Sequence, residues 1–319
     1  MEKILVTGGL GFIGSNFIKY MFRKYKDVEI FNYDKVTYAA NPDNLKEFEG
    51  KKEYHFIKGD INNFEFLDYV VNKNKIGTII HFAAESHVDN SIKNPNVFVE
   101  TNVLGTMSIL NIVKRHNLRF HHISTDEVFG SLGFFDKPFD ETSCYDPKSP
   151  YSASKAASDH LVRSYINTFG IKATISNCGN NYGPLQHEEK LIPKSITNIL
   201  KGENILIYGK GENIRDWIHV QDHCRAIDLI LHKGKIGETY CISGRNEKSN
   251  IEIARMIVRL MKVSQNRIEF IKDRPGHDLR YAINDSKLRS LGFEPEYDFE
   301  TGLKETIEYY KKKHQGDNK

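Results

Sequence analysis

Long apolar runs are missing from this chain of 319 residues: none approaches the ~18 residues that a membrane-crossing helix requires. Cysteine is scarce. The four present (Cys144, Cys178, Cys224 and Cys241) show no C-x-x-C spacing, which argues against a disulfide framework or a zinc ribbon and predicts reduced thiols. An excess of either charge is missing as well: 45 Lys and Arg face 42 Asp and Glu, for a net charge of +3. No basic run carries interleaved aromatics, so a nucleic-acid partner is not expected. Lys311-Lys312-Lys313 reads instead as a solvated helix end, where cations suit the dipole. Repeats and low-complexity segments are absent, and no basic-then-apolar leader precedes the first strand. A soluble cytoplasmic protein with no membrane partner is expected, long enough for a large α/β domain and a smaller lobe.

What is present begins with Lys3-Ile4-Leu5-Val6-Thr7, a short apolar run of the kind that forms a buried parallel strand. It leads into Gly8-Gly9-Leu10-Gly11-Phe12-Ile13-Gly14 and then into apolar residues at helical spacing. Glycines are required where the backbone turns sharply and a pyrophosphate approaches the N–H groups of a helix start. A second strand, Glu29–Asp34, ends in an acid placed to accept the adenosine ribose hydroxyls. That carboxylate would repel a 2′-phosphate, so NAD is predicted over NADP. Tyr54–Asp60 and Gly77–Ala84 read as further strands, and Val97–Arg115 as one long helix. Strands and helices alternate through residue 176, which predicts a Rossmann-type, doubly wound parallel sheet.

After residue 176 the texture becomes polar and irregular. Leu191–Leu200 reads as a helix, Asn204–Gly209 as a strand, and Asp222 as the cap of a helix through Ala226 and Ile230. Leu303–Tyr310 reads as a closing helix, with a frayed tail from Gln315. The predicted division is a cofactor domain over 1–176 plus about 217–245, and a substrate lobe over 177–216 and 246–319.

The chemistry concentrates at Ser124-Thr125-Asp126-Glu127, just past the strand Arg119–Ile123, and at Tyr151-Ser152-Ala153-Ser154-Lys155. Residues four apart share a helical face, so Tyr151 and Lys155 point the same way. If that face looks toward the strand end, one pocket holds a phenol, an ammonium and two carboxyls.

These stretches, with Ala83-Ala84-Glu85-Ser86-His87, Asn180-Asn181-Tyr182-Gly183-Pro184, Glu189-Lys190-Leu191-Ile192-Pro193, Ile214-Arg215-Asp216-Trp217 and Asp273-Arg274-Pro275-Gly276-His277, resemble the dTDP-glucose 4,6-dehydratase family along essentially the whole chain. The family is a branch of the extended short-chain dehydrogenases/reductases, and Thr-Asp-Glu is the branch-specific part. The resemblance implies that Tyr151 takes the sugar 4-hydroxyl proton, with Lys155 lowering the phenol's pKa and Thr125 bonding that hydroxyl. Glu127 would remove the C5 proton, and protonated Asp126 would donate to the departing C6 hydroxyl. NAD would be held by Gly8, Gly11, Phe12, Ile13 and Gly14, then by Asp34, Lys35, Thr37, Asp60 and Ile61. Ala83, Ala84, Ser86, Thr101 and Asn181 would complete that site with Tyr151 and Lys155. The nucleotide sugar, a dTDP- or UDP-hexose, would meet Ser86, Thr125, Asn180, Lys190 and Leu191. It would also meet Ile207, Tyr208, Arg215, Asn250, Arg274 and His277. A homodimer is implied, through Val97–Arg115 and Tyr151–Phe169.

Departures from the pattern are Asn90, Phe129, Glu188, Cys241 and Ser243, which bear on the sugar and the base rather than the chemistry. Three functions fit these residues to different degrees. A 4,6-dehydratase accounts for every residue above. A C4 epimerase, or another C4-oxidising enzyme of UDP-sugars, keeps the oxidation, but an epimerase needs no acid/base pair after Thr125. An NAD-binding scaffold needs none of the four reactive side chains. Arg215 and Arg274 also admit a plain salt-bridge role. His219, His223 and Cys224 have metal-like spacing but straddle a strand-to-helix junction, so no metal is expected.

Overall fold

The structure, a computed structural model, describes residues 2–273 and 277–317. β1 (Glu2–Thr7), α1 (Phe12–Lys24), β2 (Val28–Asp34), β3 (Tyr54–Lys58), α2 (Phe64–Asn74) and β4 (Thr78–His81) alternate as predicted. Next come α3 (Val88–Lys93), α4 (Pro95–Phe98), a π-helical stretch at Val99–Leu104, and α5 (Gly105–His116). β5 (Arg119–Thr125) runs into a 3₁₀ turn, Asp126–Phe129, and a long loop leads to α6 (Pro150–Phe169). β6 (Lys172–Cys178), β7 (Asn180–Tyr182), α7 (Leu191–Leu200), β8 (Ile205–Tyr208), β9 (Ile214–His219), α8 (Val220–Lys233) and β10 (Thr239–Ile242) follow. β11 (Glu247–Ser249), α9 (Asn250–Met261), β12 (Ile268–Ile271), α10 (Ser286–Arg289) and α11 (Phe299–Asp317) complete the described chain.

The large sheet has seven parallel strands in the order β10-β6-β5-β4-β1-β2-β3. Strand order reverses between β1 and β4, so the carboxyl ends of the strands open a crevice there. Both faces are covered, which is why the strands read as continuous apolar runs. Leu5, Ile79, Phe120 and Ala173 enter the cluster under α2, α5 and α6, while Ile4, Val6, Ile80 and Ile123 enter the one under α1 and α8. Smaller sheets, β11-β9-β7 and β12-β8, share a separate core with α7, α9 and α11.

Five local expectations are revised. The helix through Val97–Arg115 is not uniform: its π-helical stretch buries Asn102, whose side chain bonds Glu85 N (2.9 Å), Glu85 O (3.0 Å) and Ser154 Oγ (2.8 Å). Strand structure does not stop at residue 176, because Asn177 stays in β6 by donating to Thr125 O at 3.0 Å, and Asn180–Tyr182 pairs with β9. Asp222 is not a cap. It lies inside the first turn of α8 and accepts from Glu296 N (2.9 Å), Tyr297 N (3.0 Å) and Arg225 (2.7 Å), pinning the approach to α11. Helix α11 continues past Gln315 to Asp317, and its Lys313 pairs with Glu188 at 2.7 Å. Helix α9 was missed, although Ser249 and Glu252 form a capping box ahead of its apolar face.

Candidate active site

One cavity of about 790 Å³ lies along the carboxyl ends of β1, β2, β4, β5 and β6. At one end, Gly8 turns with φ +71°, and a Cβ there would stand 2.6 Å from Ala83 N. Gly14 brings α1 against this turn so closely that a Cβ would stand 2.4 Å from Gly8 O. The N-terminus of α1 has no side-chain cap and no acid in its first turn, so its N–H groups suit an anion. Asp34 closes β2 with its carboxylate held by Leu10 N (3.0 Å) and Val36 N (2.7 Å). Lys35 pairs with Asp60 at 2.7 Å. All seventeen residues expected to hold NAD line this one cavity, so glycine turn, bare helix start and acid occur in the order a dinucleotide needs.

At the other end stand the reactive groups. Ser149 caps α6 in a capping box with Ser152, and Pro150 opens the helix. This start orients the buried face through Tyr151, Lys155, Asp159 and Val162. Lys155 Nζ donates to Ile123 O at 2.8 Å, which ties α6 to the end of β5. Thr125 caps the following turn, its Oγ1 accepting from Glu127 N at 3.3 Å. Asp126 turns inward and is 2 % exposed, with Thr125 Oγ1 donating to Oδ1 at 3.2 Å. Glu127 remains partly open to the cavity.

The electrostatics separate the two carboxyls. Burial, then the nearby charges of Glu127 and Asp216, push Asp126 well above its ordinary 3.8, which favours its protonated form. Burial also pushes the Tyr151 phenol up, helped by Glu127, and brings Lys155 down to about 8. The expected lowering of the phenol by Lys155 is therefore not seen: the ammonium serves Ile123 O, and a carboxylate faces the phenol.

The raised Asp126 value has a consequence for stability. The folded protein keeps this proton above pH 3.8 whereas the unfolded chain releases it, so stability is lost as pH rises from there toward the folded pKa. Asp126→Asn is expected to raise the thermal midpoint at pH 7 and to change it little at pH 3. A lower midpoint at pH 7 would contradict the raised pKa of Asp126.

Residues 5–306 match the family model described as GDP-mannose 4,6 dehydratase. A dTDP-glucose 4,6-dehydratase of Mycobacterium tuberculosis is 47% identical over 312 residues, which cover 97% of this chain and 93% of that protein. The chain belongs to the dTDP-glucose 4,6-dehydratase family. Among solved members, the Bacillus anthracis enzyme in complex with NAD superposes with a TM-score of 0.93 at 44% identity, covering 99% of this chain and 98% of that one. The Streptomyces venezuelae enzyme, with NAD and dTDP bound, gives 0.95 at 41% identity and 98% of both chains.

Against that family frame, the expected substrate residues divide. Ser86, Thr125, Asn180 and Lys190 line the cavity, and Lys190 Nζ reaches across to Ser86 O at 2.9 Å. Leu191, Tyr208, Arg215, Asn250 and His277 lie outside its lining, on or beside the elements that build the two smaller sheets and their core. Tyr208 and His277 meet edge to face at 6.2 Å. The Ile207 side chain is core, so only its main chain remains for a ligand. Arg215 donates to Ile214 O (2.7 Å) and Asp278 O (3.0 Å) and lies over the Tyr281 ring at 4.2 Å. Arg274 lies outside the described residues. Among the described residues no His, Cys, Asp or Glu cluster is arranged for a metal: His219 stacks on Tyr297 at 3.8 Å, and His223 Nδ1 stands 2.9 Å from Asn181 Oδ1.

Sequence reasoning missed Cys178, Glu85, Glu100 and Gln186 in the cavity wall, and Asp159 behind it. Asp159 had a signal, since it extends the Tyr151, Lys155 spacing by one more turn.

Proposed function

We propose that this chain converts dTDP-glucose to dTDP-4-keto-6-deoxyglucose by an NAD-dependent 4,6-dehydration. The supporting observation is the buried Asp126, its pKa raised by that burial, beside the more open Glu127, in one cavity with Tyr151 and Lys155. NAD, when bound, takes hydride from C4, returns it at C6, and brings a cationic ring whose charge favours the phenolate. Tyr151 accepts the 4-hydroxyl proton while Thr125 holds that oxygen. The 4-ketone acidifies the C5 hydrogen, which Glu127 removes as base, and Asp126 gives its proton to the C6 hydroxyl as it leaves as water. When hydride adds at C6 of the resulting 5,6-ene, the proton on Glu127 returns to C5. The two carboxyls take opposite roles because burial favours the protonated form of Asp126 while Glu127 stays partly open to the cavity. Ser86, Asn180 and Lys190 hold the sugar and diphosphate. Leu191, the Ile207 main chain, Tyr208, Asn250 and His277 extend the site toward the base.

The deciding experiment incubates the protein with dTDP-glucose, UDP-glucose and UDP-N-acetylglucosamine and follows loss of one water by mass. Water loss from dTDP-glucose supports the proposal. Reaction of a UDP-sugar alone would move the nucleotide assignment, and epimerisation without water loss would overturn the dehydration.

Because hydride leaves and returns within one cycle, release of NAD midway would strand the 4-ketone. Denatured protein is therefore expected to yield close to one NAD per chain, and an absence of nicotinamide would contradict this. The same reading includes the division into a cofactor domain and a substrate lobe. It also includes a cytoplasmic location, in keeping with four free thiols.

A homodimer through the helical run 95–116 and α6 belongs to the proposal. Val99, Leu104 and Met107 are exposed on the first, and Ala153 on the second, with Ala157, Leu161 and Tyr165 partly exposed. Ala156 packs inward against Val128 and Phe129 and is not part of that face. Light scattering is expected to give twice the mass of one chain, and Met107→Glu to lower it toward that of a monomer. A monomeric wild type would refute the dimer.

A further inference from the structure

Behind Lys155, a set of buried polar groups that the proposed reaction does not use converges on one carboxylate. Asp159 follows Lys155 by one turn on the same face of α6 and is fully enclosed. Its Oδ2 accepts from Ser124 Oγ at 2.8 Å, Tyr145 OH at 2.8 Å and Asn177 Nδ2 at 3.1 Å. His122 Nε2 stands 3.1 Å from Oδ1. Asn177 also holds Thr125 O, and Arg163 donates to Tyr145 OH at 2.7 Å. One buried side chain thus joins α6, β5, β6 and the loop before α6.

We propose that Asp159 is a positioning residue for the dehydration, its carboxylate being the fixed counter-charge that keeps Lys155 an ammonium and braces the end of β5 under Thr125 and Asp126. The proposal rests on the dehydratase reading for the role of Lys155. A buried ammonium whose hydrogen bond goes to a neutral carbonyl loses its proton readily unless a negative charge faces it. The groups facing Lys155 come from four elements: His81 on β4, His122 on β5, Cys178 on β6, and Asp159 on α6 itself. Arg163, a turn further along α6, acts on His122. Burial holds both imidazoles below their ordinary value and pushes the Cys178 thiol up to about 12, so these three are neutral near pH 7. Asp159 remains ionised: burial alone would raise its pKa, but His122, Lys155 and Ser124 hold it below the ordinary value. It therefore supplies the negative charge that faces Lys155.

The test uses the full chain with ¹⁵N-labelled lysine, the Lys155 Nζ resonance being assigned by its loss in Lys155→Met. In the wild type it is expected to titrate near pH 8. Asp159→Asn is expected to move it down by about one pH unit or more, a tenfold change in the protonation ratio. Tyr145→Phe, which removes a hydrogen bond but no charge, and Asp159→Glu, which keeps the charge, should leave it near the wild-type position. The alkaline limb of the dehydration pH profile should move with the resonance. An unmoved resonance in Asp159→Asn overturns the proposal, whatever the substrate proves to be. Failure of the dehydratase reading would appear instead as a shifted resonance with no water loss from any sugar. Should Asp159→Asn not fold, its combination with Lys155→Met decides: recovery of the Lys155→Met thermal midpoint supports the charge pairing, and no recovery overturns it.

Discussion

Glu127→Gln is expected to reduce dehydration by about 10²–10⁴-fold while leaving the first oxidation possible. An amide cannot remove the C5 proton, yet Tyr151, Lys155 and the dinucleotide cradle are untouched. Mixed with dTDP-glucose and NAD, the variant should build absorbance of reduced nicotinamide without dehydrated product. Substrate recovered from deuterated water should carry no deuterium at C5. The pattern depends on Glu127 being the more open member of its pair, since burial favours the protonated form of Asp126 and makes it a poor substitute base. Turnover at the wild-type rate would make Asp126-Glu127 a bystander pair and leave a C4 oxidoreductase or epimerase.

Tyr151→Phe is expected to cost about as much, ~10²–10⁴-fold, but to stop the reaction one step earlier. Without the phenol nothing takes the 4-hydroxyl proton, so neither the reduced-nicotinamide signal nor the ketone should appear. The fold should tolerate the change, because the ring is buried and meets Phe98 edge to face at 6.3 Å, a contact that Phe preserves. A reduced-nicotinamide signal as large as that of Glu127→Gln would remove Tyr151 from the role of base. The raised phenol pKa fits a group that does not ionise until the cofactor's positive charge is in the cleft. It also predicts that wild-type oxidation falls as pH drops.

The legible parts of the site were those carried by short-range spacing. Gly8 to Gly14 followed by Asp34 announced a dinucleotide cradle, and every residue expected to hold NAD lines one cavity. The chain after residue 176 was harder to read. Its strands β7, β9 and β11 are short and pair across long sequence gaps, so no local period marks them. Ile207 illustrates the difference: a strand was expected there, but which side of it met the core depended on α7 and α9 packing against it.

By itself the sequence determined the parallel sheet, the glycine turn and the pairing of Tyr151 with Lys155. Each follows from steric and hydrogen-bonding rules acting over a few residues. Only the tertiary structure decided which carboxyl is sealed from water, where Lys155 places its hydrogen bond, and that Asp159 stands behind it. Those depend on burial and on charges brought together from β5, β6, β9 and α6. Asp126 and Asp159 are the same residue type and both are buried, and their neighbours separate them: Glu127 and Asp216 add to burial in raising the one, while His122, Lys155 and Ser124 outweigh burial and hold the other below its ordinary value.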